Sequence, residues 1–456
     1  MTEGAFSLML EEAFGRERAD VILRSLDEEA STSIRLNPLK VKSEPEVSQD
    51  NSIEVPWCSE GRILSERPSF TMDPAFHSGA YYVQDSSSMF VGHIFRRLLE
   101  NQKGRLRVLD LCAAPGGKTT DMVSSLREHC GEDFLLVSNE VMSNRCGILA
   151  DNVARWGDPN VIVTSADPAA FASLGEFFDI ILTDVPCSGE GMFRKDEDAV
   201  RQWSADTVGL CCARQKRILA DAWPALKGGG LLIYSTCTFN NRENDGNVQW
   251  IKESLGAEVV TPECTFGQAI KTLYGYSLAP GFAPGEGQYC AALKKTEYAG
   301  KREEGRRRDS GKKAVRKNGP EQILKSYFSF DAEISERNGT LIAVPAHIAE
   351  DVAAVASSLR TLSSGVKCGC LKNGKLVPDE DLILNAFLKE DAFPTIETDR
   401  QTALAYLHRD TIVLGPEVPR GYVALKWKGV RYGVVNNLGN RCNNLHPMSR
   451  RILMRV

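Results

Sequence analysis

Two cysteines stand just past apolar, strand-like runs: Cys187 in Asp184-Val185-Pro186-Cys187-Ser188-Gly189, and Cys237 in Tyr234-Ser235-Thr236-Cys237-Thr238. A thiolate is a strong nucleophile. Carbon 5 of cytosine is a weak one, but a thiolate added to C6 converts the ring to an enamine whose C5 can attack an electrophilic methyl. The addition is eased by a proton or hydrogen bond at N3, a role open to a carboxyl group such as Asp184. A base must then remove the C5 proton so that the thiol can leave. Either cysteine alone reads better as a small buried hydrophobe. The pair, at one sheet edge, would suit such catalysis if a methyl donor binds beside it, although spacing does not say which sulfur attacks.

The elements that must hold these groups lie between residues 105 and 240. Five short runs, RLRVLDL, FLLVSNE, VIVTSAD, FDIILTDVP and GGGLLIYSTCT, are continuously apolar, as strands covered on both faces are. Helical patterns around 117–129, 142–156 and 204–226 separate them. The alternation predicts an α/β fold with a doubly wound parallel sheet. Residues 1–80 read as a helical segment, a strand-like SIRLNP and a polar stretch at 43–66 that suits a loop.

The first strand ends in Asp110 and enters Leu-Cys-Ala-Ala-Pro-Gly-Gly-Lys-Thr-Thr, 111–120. Small residues and two glycines at a strand-to-helix turn let backbone approach a ligand at a helix N-terminus. This is not a P-loop, because Cys112 stands where its first glycine belongs, and the G-x-G-x-x-G dinucleotide fingerprint is absent. Three further runs end in acids, Glu140, Asp167 and Asp184. In open α/β sheets the ligand sits beyond the carboxyl ends of the strands. An acid after the second strand suits ribose hydroxyls and one after the third an adenine amino group. With no pyrophosphate cradle, the expected nucleoside is S-adenosylmethionine.

The chain has 456 residues, 55 Lys+Arg against 60 Asp+Glu, 42% hydrophobic and 25% charged, ordinary values for a globular protein. The length suggests about three units of roughly 150 residues. No apolar run approaches the ~18 residues of a membrane span. The acidic, charge-interrupted start is unlike a signal peptide, so a cytoplasmic protein without membrane contact, and monomeric, is expected. Thirteen cysteines suit reduced thiols. Cys211-Cys212 and Cys368-Gly369-Cys370 face no second pair at zinc spacing, so no metal is expected. Residues 301–317 carry nine basic and three acidic groups, either a solvated linker or a phosphate contact. Residues 418–456 carry eight basic residues and no acidic one, interleaved with Tyr422, Trp427 and Tyr432, the pattern of a nucleic-acid-binding face.

Taken together, DLCAAPGGKTT (110–120), the Glu140 and Asp167 strand ends, TDVPCSGEGMFRK (183–195), YSTCTF (234–239), SIRLNPLK (33–40) and YYVQDSSSM (81–89) resemble the Sun/Nop-type RNA cytosine-5 methyltransferases over residues 33–295. The resemblance implies a Rossmann-like, class I S-adenosylmethionine-dependent methyltransferase fold. It implies that Cys237 attacks C6, that Cys187 assists release, and that Asp184 serves the base. It also implies a donor pocket of Cys112, Ala113, Ala114, Pro115, Gly116, Gly117, Lys118, Glu140, Arg145, Asp167 and Asp184. The C-terminal third resembles the RsmF-like bacterial branch, which acts on ribosomal RNA and appends two small domains, the last PUA-like and β-rich. The implied organisation is an N-terminal α+β RNA-binding extension (1–80), the methyltransferase domain (81–295), a basic linker (296–320), an RsmF-type domain (321–388) and a PUA-like domain (389–456). RNA contacts are expected at Arg35, Asn37, Lys195, Trp427 and Arg431. Small-subunit ribosomal RNA is the expected substrate and transfer RNA the alternative. Two other readings are the same donor with a protein or small-molecule acceptor, and a silent RNA-binding assembly factor.

Overall fold

The computed structural model describes residues 2–41, 44–296 and 320–454; most of the expected basic linker, including 301–317, lies outside them. The chain opens on two helices, Thr2–Phe14 and Arg16–Ser25, separated at Gly15. Phe6, Leu10, Ala19 and Ile22 are buried against Trp203, Val208 and Phe239, which ties the N-terminus to the segment that follows the Pro-Cys motif. A small sheet follows, β1 (Thr32–Leu36), β2 (Ile53–Val55), β3 (Cys58–Leu64) and β4 (Tyr81–Val83), in spatial order β2-β3-β1-β4. The stretch expected as a loop at 43–66 therefore contains a hairpin. Its turn buries Trp57, whose indole N–H donates to the Ser86 carbonyl at 2.7 Å, so an apolar anchor outweighs the polar composition around it. Because β4 belongs to this sheet, the boundary expected at residue 80 cuts through it.

The helix Met89–Leu99 buries Met89, Phe90, Val91, Ile94, Phe95 and Leu98, a helical apolar stripe. Each large side chain so buried contributes about 2 kcal/mol. The central sheet is built from β5 (Leu106–Asp110), β6 (Phe134–Asn139), β7 (Val161–Thr164), β8 (Phe178–Asp184) and β9 (Leu226–Thr236), all parallel. Their order β7-β6-β5-β8-β9 confirms the doubly wound reading. It places the reversal of strand order between β5 and β8, where such sheets bind ligands. Helices Gly117–Cys130, Ser143–Trp156 and Ala205–Ala222 fall close to their expected spans. Beyond β9 come β10 (Ala257–Val259), β11 (Ile270–Lys271), β12 (Tyr276–Leu278) and β13 (Gln288–Lys295), with β13 antiparallel to β9.

The C-terminal region holds β14 (Ala332–Arg337), β15 (Thr340–Pro345), β16 (Thr361–Ser364), β17 (Val366–Lys372) and β18 (Lys375–Pro378). Strand β16 leaves its neighbours to pair antiparallel with β7, closing that edge of the central sheet. Val344, Ile348, Val352, Val355 and Leu359 join the core on the same side. This segment is thus built into the central sheet, where the resemblance implies a separate domain over 321–388. A last sheet, β19 (Thr395–Glu397), β20 (Gly421–Trp427), β21 (Val430–Asn437) and β22 (Cys442–Asn444), is β-rich as expected. Among the described residues no helix is long and apolar enough to cross a membrane.

Candidate active site

The turn after β5 bends backbone toward the switch point. Gly116 takes φ +115°, a left-handed conformation that side chains disfavour, and the helix Gly117–Cys130 starts directly after it. A Cβ on Gly117 would come within 3.3 Å of the Tyr82 ring. Lys118 reaches from the first turn of that helix, donating to Asp184 Oδ2 and to Ser88 Oγ, each at 2.9 Å. Burial pushes its ammonium toward losing the proton, but the Asp184 carboxylate outweighs burial and holds its pKa above the ordinary value, with Cys237 adding to the effect. Asp184 also accepts from Ser235 Oγ at 2.7 Å and Gln288 Nε2 at 3.2 Å.

A cavity of about 160 Å³ opens here, floored by Cys112, Ala113, Ala114, Pro115, Gly117 and Lys118. Tyr82, Gln84, Asp85 and Ser88 wall its far side. These four come from the YYVQDSSSM segment, which carries a family signal in the sequence but no assignment of individual residues. Glu140 stands at the neighbouring strand end, accepting from the Met142 N–H at 2.9 Å and lying 3.4 Å from Arg145 Nη1. Arg145 in turn donates to the Ala114 carbonyl at 2.5 Å, bracing the loop from outside. Asp167 caps the turn that follows β7, accepting from Ala169 N–H at 3.1 Å, while its side chain stays half exposed. Backbone-lined floor, strand-end acids and a cation–carboxylate pair are chemically suited to a nucleoside that carries an amino acid. A larger cavity of about 520 Å³ lies between helix Ser143–Trp156 and the C-terminal segment, and none of the expected site residues lines it.

The two motif cysteines meet. Cys187 Sγ and Cys237 Sγ are 3.2 Å apart, both half-buried and both free. The Cys187 thiol is held well above its ordinary pKa, first by its hydrogen bond to Cys237 and then by burial. A thiol that keeps its proton is a weak nucleophile and a possible donor to its neighbour.

Asp110 lies beneath the floor, buried, with Thr119 Oγ1 donating to one oxygen at 2.6 Å and the other oxygen without a partner. Burial raises its pKa to about 7, against the opposing Thr119 bond. The folded state therefore binds the proton more tightly than the unfolded chain. The stability this group contributes is full below the ordinary carboxylate range near 4 and is lost as pH rises through about 7. Asp110→Asn should flatten the fall in melting temperature between about pH 4 and 7. A variant with the wild-type slope would place that dependence elsewhere.

Three expected RNA contacts are corrected by their surroundings. Arg35 is 1% exposed. It donates to Gln84 Oε1 at 2.8 Å and Thr120 Oγ1 at 2.6 Å, and it stacks 4.6 Å from the Trp156 ring. Asn37 is fully buried, its amide donating to the Gly79 and Trp156 carbonyls. Arg431 donates to the Ile383, Asn385 and Leu388 carbonyls, stitching β21 to the preceding segment. All three build the fold. Arg35→Ala should cost about 3 kcal/mol or more in urea unfolding, because it strips partners from buried groups. An RNA contact would instead leave stability intact and lower the salt slope of binding by about one. Lys195 is 31% exposed and pairs with Asp85 at 3.2 Å. Trp427 is half-buried, with Lys428 Nζ 5.7 Å from its ring. These two keep surface that RNA can reach.

Residues 97–294 match a model described as 16S rRNA methyltransferase RsmB/F. Residues 4–86 match the N-terminal domain of 16S rRNA methyltransferase RsmF, and residues 393–452 the methyltransferase RsmF PUA domain. The ribosomal RNA small subunit methyltransferase F of Shewanella loihica is 30% identical over 448 residues, 91% of this chain and 88% of that one. Its namesake in Shewanella piezotolerans is 30% identical over 435 residues, 91% and 90%. Among solved structures, a methyltransferase homolog protein from Pyrococcus horikoshii superposes with TM-score 0.52 and 28% identity, over 63% of this chain and 93% of that one. NSun6 from the same organism, solved with SFG, gives TM-score 0.54 at 20% identity, over 64% and 98%, a likeness of fold. With identity sustained across nine-tenths of both partners and all three matched segments in the same order, the chain belongs to the ribosomal RNA small subunit methyltransferase F family.

Proposed function

We propose that this protein methylates carbon 5 of cytosine in small-subunit ribosomal RNA, with S-adenosylmethionine as donor. The observation that carries the chemistry is the 3.2 Å approach of two free thiols beside the Lys118–Asp184 pair. The relatives' names supply the acceptor RNA.

The turn Cys112–Lys118 would hold the donor's backbone-facing side, Glu140 its ribose hydroxyls and Asp167 its adenine, with Arg145 bracing the loop. Bound there, S-adenosylmethionine supplies an electrophilic methyl group. The rest falls to the chain. Cys237 attacks C6 and Cys187 assists, the order that the resemblance to the RNA cytosine-5 methyltransferases implies. Asp184, surrounded by three donors, places its carboxyl group at N3 of the base, and the proton held at N3 draws electron density from the ring as sulfur adds. Cys187 then assists release of the product from Cys237.

Bisulfite mapping of ribosomal and transfer RNA with and without the gene tests the reading. The expected result is loss of 5-methylcytosine from small-subunit ribosomal RNA. Loss confined to transfer RNA would move the substrate, and an unchanged map would overturn the cytosine assignment.

A further inference from the structure

The loops that carry the two cysteines are tied by two buried carboxyls whose bonds cross over. Glu190, three residues past Cys187, accepts from the backbone N–H of Phe239 at 2.5 Å and of Asn240 at 3.2 Å, just past Cys237. Glu243, six residues past Cys237, accepts from the backbone N–H of Ser188 at 3.2 Å, next to Cys187. The Asn240 amide joins the two, donating to Glu190 Oε1 at 2.9 Å and Glu243 Oε1 at 2.8 Å. Trp203 and Gln215 supply the outer donors, at 2.8 Å to Glu190 and 2.6 Å to Glu243. Between the glutamates' loops, the Gly191 N–H donates to the Cys237 carbonyl at 2.7 Å, and a Cβ on Gly191 would strike that carbonyl at 2.6 Å.

Both glutamates are 0% exposed, and burial pushes the Glu243 carboxyl up against its hydrogen bonds. Apolar side chains would join two loops with less desolvation. What they could not do is fix individual backbone N–H groups just past each cysteine. We propose that Glu190 and Glu243 are positioning residues, a reciprocal clamp that sets the distance between Cys187 and Cys237; the need for that distance rests on the cysteine chemistry proposed above.

The clamp can be read without RNA or donor. Diamide takes two electrons and two protons from neighbouring thiols, and the two sulfurs need close only from 3.2 Å to the ~2.05 Å of a disulfide. Peptide mapping of the wild-type protein should find a Cys187–Cys237 bond. In Glu243→Gln and Glu190→Gln, which set an amide donor against N–H donors, that bond should form at least about tenfold more slowly, with S-adenosylmethionine affinity and cooperative melting retained. Glu243→Asp, which keeps the charge and shortens the reach, should be slowed as well. Wild-type rates in these variants overturn the proposal. So does loss of cooperative melting in all three, which would make the pair a requirement of folding alone. A wild-type protein that forms no such bond removes the fixed spacing itself. Slowed disulfide formation alongside a Cys187→Ala enzyme that traps no RNA would leave the clamp standing and overturn the methyl-transfer role of the pair.

Discussion

Cys237→Ala should lower methyl transfer to ribosomal RNA by at least about a thousand-fold, roughly 4 kcal/mol in barrier, because C5 of an unactivated cytosine cannot attack. Donor affinity should change by no more than about twofold, since what the variant loses is chemistry and not ground-state binding. The geometry supports this separation. Cys237 does not line the cavity formed by Cys112–Pro115, Gly117 and Lys118, and the Lys118–Asp184 pair at 2.9 Å is held independently by Ser88, Ser235 and Gln288. Single-turnover transfer of a labelled methyl group, with calorimetric titration of the donor, checks both halves. Turnover within about tenfold of wild type would remove Cys237 as the attacking sulfur.

The sequence foretells the site better than its surroundings. Runs such as 106–110 and 178–184 are legible because strands covered on both faces must be apolar throughout, and the acids and cysteines that follow them then fall on one edge. Strand β16 has no such mark. Thr361–Ser364 is mostly polar, and only the open edge of β7, some 200 residues earlier, makes it a strand. Arg35 fails for a related reason. A basic residue in an RNA-binding family reads as a phosphate contact, but its partners Gln84, Thr120 and Trp156 are distant in the chain and only the fold brings them around it. Asp167 is intermediate: its capping of Ala169 is the ordinary use of an acid after a strand, and its exposed side chain leaves it available to a ligand as well. The reciprocal bonds of Glu190 and Glu243 carry no spacing signal, because each reaches the other's loop.

Cys187→Ala should separate attack from release. Its loss removes the 3.2 Å sulfur contact but leaves the Cys237 thiol in place, so the first methyl transfer should proceed within a few-fold of wild type. Release needs a group that helps move the C5 proton, and removing such a group slows a step by roughly 10²–10⁴. The ring should then stay bonded to Cys237. The measurable consequence is an RNA–protein species that survives a denaturing gel, approaches one per enzyme, and vanishes in the Cys187→Ala, Cys237→Ala double variant. Multiple turnover should fall about a hundred-fold or more while the first turnover persists. The roles would exchange if Cys237→Ala trapped RNA and Cys187→Ala did not. A thiol held well above its ordinary pKa by its partner sulfur is suited to the later role. Once Cys237 has bonded to the ring, the Cys187 S–H loses that acceptor, and after ceding its proton to water the thiolate takes the C5 proton as the Cys237–C6 bond breaks.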